Sequence, residues 1–190
     1  MEIESNKRYL LRGFIDGLLS SLGVVIGAST AIGLGATNQA TVIIVAAGIG
    51  GGVANGFSNI LGAFVGEKLV KEKKLRKIEK AMLKKDGLQD TALDKRMEKR
   101  VLFSGLFDGL ATIFGSLIPI FPFITGVFFN LHTLTLLYVS IILSLTLFFV
   151  LGLYIGKISR ENIIFSGLKL VAFGVFTLII TLMIRLIFSL

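Results

Sequence analysis

The 190-residue sequence contains no cysteine and no tryptophan, only two prolines and a single histidine. Without cysteine there are neither disulfides nor thiolate metal ligands. The one histidine, His132, sits in an uncharged stretch beside Asn130 and reads as a solvent-facing loop residue. There is no HExxH motif either, so the chain is expected not to be an enzyme. Charge is scarce: 17% of residues are charged against 54% hydrophobic. No charged residue lies between Asp16 and Glu67, and residues 101–156 hold only Asp108. That scarcity excludes an ordinary soluble domain and points to an integral membrane protein. The net charge of +8 would suit a nucleic-acid partner, but its distribution argues against one. Thirteen of the twenty Lys and Arg lie between Lys68 and Arg100 and three more precede Gly13, which is a topology signal in a hydrophobic chain. With tryptophan absent, Tyr9, Tyr138, Tyr154 and the phenylalanines are left as interfacial anchors. The basic N-terminus and the apolar run after it resemble a secretory signal, but the run is too long for one and reads as a retained first span.

About 20 apolar residues carry a helix across a bilayer. The polar break "GATNQAT" (35–41) divides the first uncharged stretch into spans of roughly 11–34 and 41–66, and "FFNLHT" (128–133) divides the second into two more. A fifth span of about 163–188 follows the charged loop "GKISREN" (156–162). Positive charge falls on alternate loops, which predicts a multi-pass protein of the cell membrane with a cytoplasmic N-terminus and an outside C-terminus. In "GEKLVKEKKLRKIEKAMLKKDG", Leu69, Val70, Leu75, Ile78, Met82 and Leu83 keep a helical period that should continue the second span and stop at Asp86-Gly87. "TALD" (91–94) resembles a capping box opening the next helix. The fold expected is therefore an all-α integral membrane protein of five transmembrane helices. Its parts are a tail (1–10), a two-span unit (11–66), a cytoplasmic basic helical hairpin (67–100), a second two-span unit (101–157), and a loop with the fifth span (158–190).

The two units read as a repeat. Aligning "GFIDGLLSSLG" with "GLFDGLATIFG" pairs Gly13 with Gly105, Asp16 with Asp108, Gly17 with Gly109, Leu18 with Leu110 and Gly23 with Gly115. Upstream, Arg8 meets Arg100; downstream, "LGAFVG" (61–66) meets "LGLYIG" (151–156). Two crossings per unit preserve direction, so the repeat is parallel, and repeat interfaces are where transporters hold substrate. Small-xxx-small pairs, including Gly23/Gly27 and Gly62/Gly66, predict close helix packing or a dimer.

On a helix, Asp16, Ser20, Gly23, Gly27 and Thr30 share one stripe, as do Asp108, Thr112, Gly115, Pro119 and Pro122. Asn55, Ser58, Asn59, Gly62 and Gly66 make a third. A carboxylate at mid-helix costs about 2.5–3.5 kcal/mol to insert, and such residues usually serve ions or protons. Oxygen ligands of this kind suit hard to borderline divalent cations. The alternatives are that each Asp caps its helix near the interface, and that the Asn and Ser residues only bond helix to helix. Glu67, Glu72 and Glu79 can pair with Lys71, Arg76 and nearby lysines along the helix, and the basic residues suit anionic membrane lipid.

At these residues the sequence resembles the vacuolar iron transporter family. "GFIDGLLSSLGVVIGAS" is similar to the family's Asp-Gly-Leu first-span motif, and "ANGFSNILGAFVGEK" to its second-span Ser-Met-x-x-Gly-Glu-Tyr stretch. "GSLIPIFPFI" resembles its third-span proline motif, and "LFFVLGLYIGKIS" and "SGLKLVAFGVFTLIITLMI" its last two spans. The resemblance implies exchange of ferrous iron or manganese for protons, Asp16 as the metal and proton carboxylate, and a homodimer with its pathway between first spans. It also implies a cytoplasmic metal-collecting region, of which Glu67, Glu72, Glu79, Met82, Met97 and Glu98 would be remnants. Asn59 stands where the motif has Met, and Ala63 where it has Glu. Oxygen ligands without a thioether favour manganese, magnesium or another hard cation. The expectation is a secondary transporter moving divalent metal out of the cytoplasm against protons. The metal is substrate, with no cofactor; Asp16, Asp108, Asn55, Ser58, Asn59, Ser20 and Thr112 are the candidate site. The alternatives are another substrate on the same scaffold, and a non-transporting membrane assembly or lipid-binding protein.

Overall fold

The computed structural model describes residues 2–32, 38–83, 88, 91–129 and 131–188. Among them the chain is helical throughout its elements: α1 (Glu2–Ile32), α2 (Asn38–Ala81), α3 (Ala92–Phe129), α4 (Thr133–Ser159) and α5 (Ile163–Phe188). All five are long and apolar enough to cross a membrane. Residues 35–37 of the first polar break, Asn130 in the second, and the expected stop at Asp86-Gly87 lie outside the described residues.

At 1.5 Å per residue, the 44 residues of α2 reach about 66 Å, roughly twice the hydrocarbon thickness of a bilayer. The basic segment after Gly66 is thus the end of the second span, continued without a break, as its apolar period predicts. α3 begins in the same basic region. Thr91 caps it, the Asp94 N–H donating to Thr91 Oγ1 at 3.3 Å. The two basic arms are tied by Lys71 and Asp94, whose charged atoms are 2.8 Å apart.

α3 is the hub, with α1 and α2 packed along it and α5 paired with α4. Glycine sets these approaches. A Cβ at Gly13 would collide with the carbonyl of Asp108, and one at Gly17 with that of Thr112. One turn on, Ser21 Oγ donates to Ser116 O at 2.7 Å. Contacts on both helices advance together, so α1 and α3 run parallel, as the single intervening crossing of α2 requires. Across α2 the order reverses: Gly56 lies on Gly109, Gly52 on Ser116 and Gly48 on Ile120, so α2 is antiparallel to α3. Backbones this close gain packing that apolar lipid cannot supply.

Pro119 and Pro122 leave α3 unbroken. A proline within a helix frees a carbonyl one turn back, and neighbours in lipid must compensate. The carbonyls so freed are those of Gly115 and Ile118; the neighbouring helices donate instead to the adjacent carbonyls, Ser140 of α4 to Pro119 O at 2.6 Å and Ser21 of α1 to Ser116 O. Leu18, Leu22, Val25, Ile26, Phe123 and Phe148 fill the core between α1, α3 and α4.

Two of the glycine pairs make no close approach within the chain. Gly62 and Gly66 meet nothing among the described residues within 4 Å of where a Cβ would stand, because they lie on the open face of α2. Gly23 and Gly27 face Thr177 and Thr181 of α5 at 3.5–3.9 Å, an ordinary contact rather than a close approach. Tyr9, expected as an anchor at the interface, is instead only 7% exposed, because its hydroxyl turns inward to α2.

Candidate functional site

Asp16 lies in the middle of α1 and Asp108 in the middle of α3, so neither caps a helix start. Asp16 is half-buried, and its Oδ2 accepts two carboxamide bonds from α2, from Asn59 Nδ2 at 2.6 Å and Asn55 Nδ2 at 3.1 Å. Each amide spends its second proton on a hydroxyl. Asn55 donates to Ser20 Oγ on α1 at 3.0 Å, and Asn59 to Thr112 Oγ1 on α3 at 2.8 Å. Thr112 in turn donates to the carbonyl of Asp108 at 2.8 Å. The i, i+4 step on each helix makes this possible: Asp16 and Ser20 share a face of α1, Asn55 and Asn59 a face of α2. Gly17 brings α3 close enough for Thr112 to join them.

Five oxygen-bearing side chains from three helices therefore meet at one point. Side-chain oxygens of these kinds are ones that hard cations accept as ligands. The two amides present N–H to the carboxylate; turning either about its last torsion exchanges N–H for the carbonyl Oδ1, a metal ligand. Ser58 lies exposed on the outer side of α2, away from this group.

Asp108 has a different partner. It is fully buried, and the Arg12 guanidinium holds it with both ends: Nε reaches Oδ1 at 3.3 Å and an Nη pairs with Oδ2. Arg12 is a residue that sequence reasoning left among the topology charges. The signal was available, since the repeat places Arg12 opposite Ser104, a charge in one unit only. Arg12 lies one turn from Asp16 on α1, so Asp108 neutralises the cation nearest the candidate site. Around it, Arg8 and Arg12 stack over the Tyr9 ring at 5.4 and 5.3 Å, and the Tyr9 hydroxyl donates to Glu67.

The candidate cytoplasmic metal set is dispersed. Glu67 is engaged by Tyr9, Glu79 accepts the Leu88 N–H at 3.2 Å, and Glu72, Met82 and Glu98 are exposed. Among the described residues no three His, Cys, Asp or Glu side chains come together as a metal cluster. The physical reason is spacing along rigid helices. Glu72 and Glu79 are seven residues apart, and the carboxylate that α3 brings to this part of α2, Asp94, is taken by Lys71.

Two comparisons bear on these residues. The profile described as VIT family matches residues 66–185, most of the chain, beginning where α2 leaves the apolar stretch. α1, Asn55 and Asn59 lie before the matched part. The uncharacterized protein MJ0645 of Methanocaldococcus jannaschii is 45% identical over 183 residues, covering 96% of this chain and 90% of its own length.

Proposed function

The chain belongs to the vacuolar iron transporter (VIT) family, and from that premise we propose that it carries a divalent metal cation through the Asp16 site in exchange for protons. It is a multi-pass membrane protein of a metal-ion transport family. The finer reading rests mainly on one observation, the convergence of Asp16, Ser20, Asn55, Asn59 and Thr112 within hydrogen-bonding distance. A carboxylate with two amide donors is prepared for negative charge. A cation entering there replaces the amide protons by turning the amides, and takes one carboxylate and up to four neutral oxygens as ligands. A proton on Asp16 removes the charge and releases the cation. The two states exclude each other, which is the coupling. Lacking a thioether, this set suits manganese, magnesium or ferrous iron better than softer ions.

On this reading the N-terminus is cytoplasmic, export is the direction and the cell membrane is the site, which the positive charge on the ends of α2 and α3 supports. The open glycines Gly62 and Gly66 are the surface for a homodimer on this reading. Purified protein in liposomes, offered a panel of divalent cations under imposed pH gradients, tests the proposal. Expected are cation flux with opposed proton flux, and slower loading when the loading side is acidified. Proton movement without any cation of the panel would overturn it in favour of another substrate.

A further inference from the structure

A cavity of about 560 Å³ opens between the N-terminal half of α1 and the last turns of α4. Lys7, Arg8, Leu11, Arg12 and Ile15 line it from α1, and Ile155, Ile158 and Ser159 from α4. The polarity is graded along α1. Lys7 to Ile15 is eight residues, roughly 12 Å of helix rise, over which the wall changes from cationic to wholly apolar. The three cations sit at the basic end of the bundle, where α4 also finishes with Lys157 and Arg160.

This is the shape and charge order of an anionic phospholipid standing in its own leaflet. A phosphate at the level of Lys7, Arg8 and Arg12 meets three donors. Acyl chain below it covers apolar wall that lipid must cover in any case. A soluble phosphate would satisfy the cations and leave that wall bare. A zwitterionic headgroup would bring its own cation against three others. We infer that this groove is a binding site for an anionic phospholipid, its phosphate held by Lys7, Arg8 and Arg12 and its chain lying on Leu11, Ile15 and Ile155. The inference does not depend on which cargo the protein carries. Because Arg12 also holds Asp108, the bound headgroup shares a guanidinium with the α1–α3 tie.

Native mass spectrometry of the full-length protein released from detergent counts bound lipids directly. Phosphatidylglycerol, phosphatidylcholine and inorganic phosphate are the probes. The first phosphatidylglycerol should bind at least about tenfold more tightly than phosphatidylcholine. A basic residue near a membrane surface contributes about fivefold to anionic lipid binding, so Lys7→Ala/Arg8→Ala should weaken that first copy roughly thirtyfold. Lys73→Ala/Lys77→Ala, exposed charges on the hairpin arm, should leave it unchanged. Ile158→Glu keeps all three cations but puts an anion on the rim of the cavity; it should also lose the first lipid, and decides the matter should the double variant fold poorly. Equal affinity for the two lipids, or equal losses in both double variants, would overturn the site. Displacement of phosphatidylglycerol by equimolar inorganic phosphate would overturn it in favour of a soluble anion.

Discussion

Asp16 and Asp108 hold the same place in two segments of like sequence, yet Asp16 rests half-buried against the amides of Asn55 and Asn59 while Asp108 is sealed beneath Arg12. The difference comes from what surrounds the repeat rather than from the repeat. The pairing of 61–66 with 151–156 places Leu145 and Phe149 opposite Asn55 and Asn59, and the first-span offset places Ser104 opposite Arg12. One unit keeps polar partners from its second helix and the other fills those positions with apolar side chains. The unit that lost its amides borrows its counter-ion from the other. Like motifs thus find unlike partners: one carboxylate is met by neutral amides, the other is consumed in balancing a fixed cation.

The comparison predicts its largest effect at Asp16. Asp16→Asn should lower divalent-cation flux in liposomes to that of protein-free vesicles and abolish its pH dependence, with thermal unfolding unchanged. Substantial coupled flux in this variant would break the distinction between the two sites. Next comes Asn59→Ala, which removes an amide donor and the link to Thr112. Loss of such a supporting partner costs about 10–100-fold in affinity, so the half-saturating cation concentration should rise by that order.

At the second carboxylate the effects belong to stability, and they are unequal. Arg12 is the exposed partner, 58% by side chain, and Asp108 the buried one. Arg12→Gln leaves a buried charge without its counter-ion, at a cost approaching the roughly 3–5 kcal/mol seen when such pairs are broken. Asp108→Asn leaves only an arginine that can turn to water, and should cost less; the double variant should recover much of the Arg12→Gln loss. Thermal unfolding in detergent measures all three. Equal losses from either single change would show that the pair is solvated at both ends.

The smallest effects separate glycines that look alike in sequence. Gly17→Ala drives a methyl into the Thr112 carbonyl and should cost about 1–3 kcal/mol, with loss of flux because Thr112 and Asp16 are forced apart. Gly62→Ala meets open space, so unfolding should not change. A shift toward monomer on gel filtration in this variant would identify the open face of α2 as the contact between copies.

Much of the fold was legible because membrane helices are written in hydropathy and charge. The uncharged stretches marked the spans, and the period from Leu69 to Leu83 foretold that α2 would run on past Gly66. The candidate site was half legible. The stripes on α1 and α2 named Asp16, Ser20, Asn55 and Asn59, since helical spacing fixes which residues share a face. It could not say which faces meet, and so Ser58, on the same segment of α2, was included though it points away. The pairing of Arg12 with Asp108, 96 residues apart, is a tertiary fact; the repeat marks Arg12 as a charge in one unit only but does not name its partner. Nor does a small-xxx-small pattern distinguish Gly17, which α3 presses upon, from Gly62, which nothing touches.

The same pair bears on how the protein is made. Chains are synthesised from the N-terminus, so α1 is in the membrane before α3 arrives. Asp108 entering alone costs about 2.5–3.5 kcal/mol. Arg12 is already waiting on α1 to meet it, and Gly13 leaves the room for the two helices to close. The order of the chain thus puts the counter-ion in place before the charge that needs it, and biogenesis of the third span comes to depend on the first.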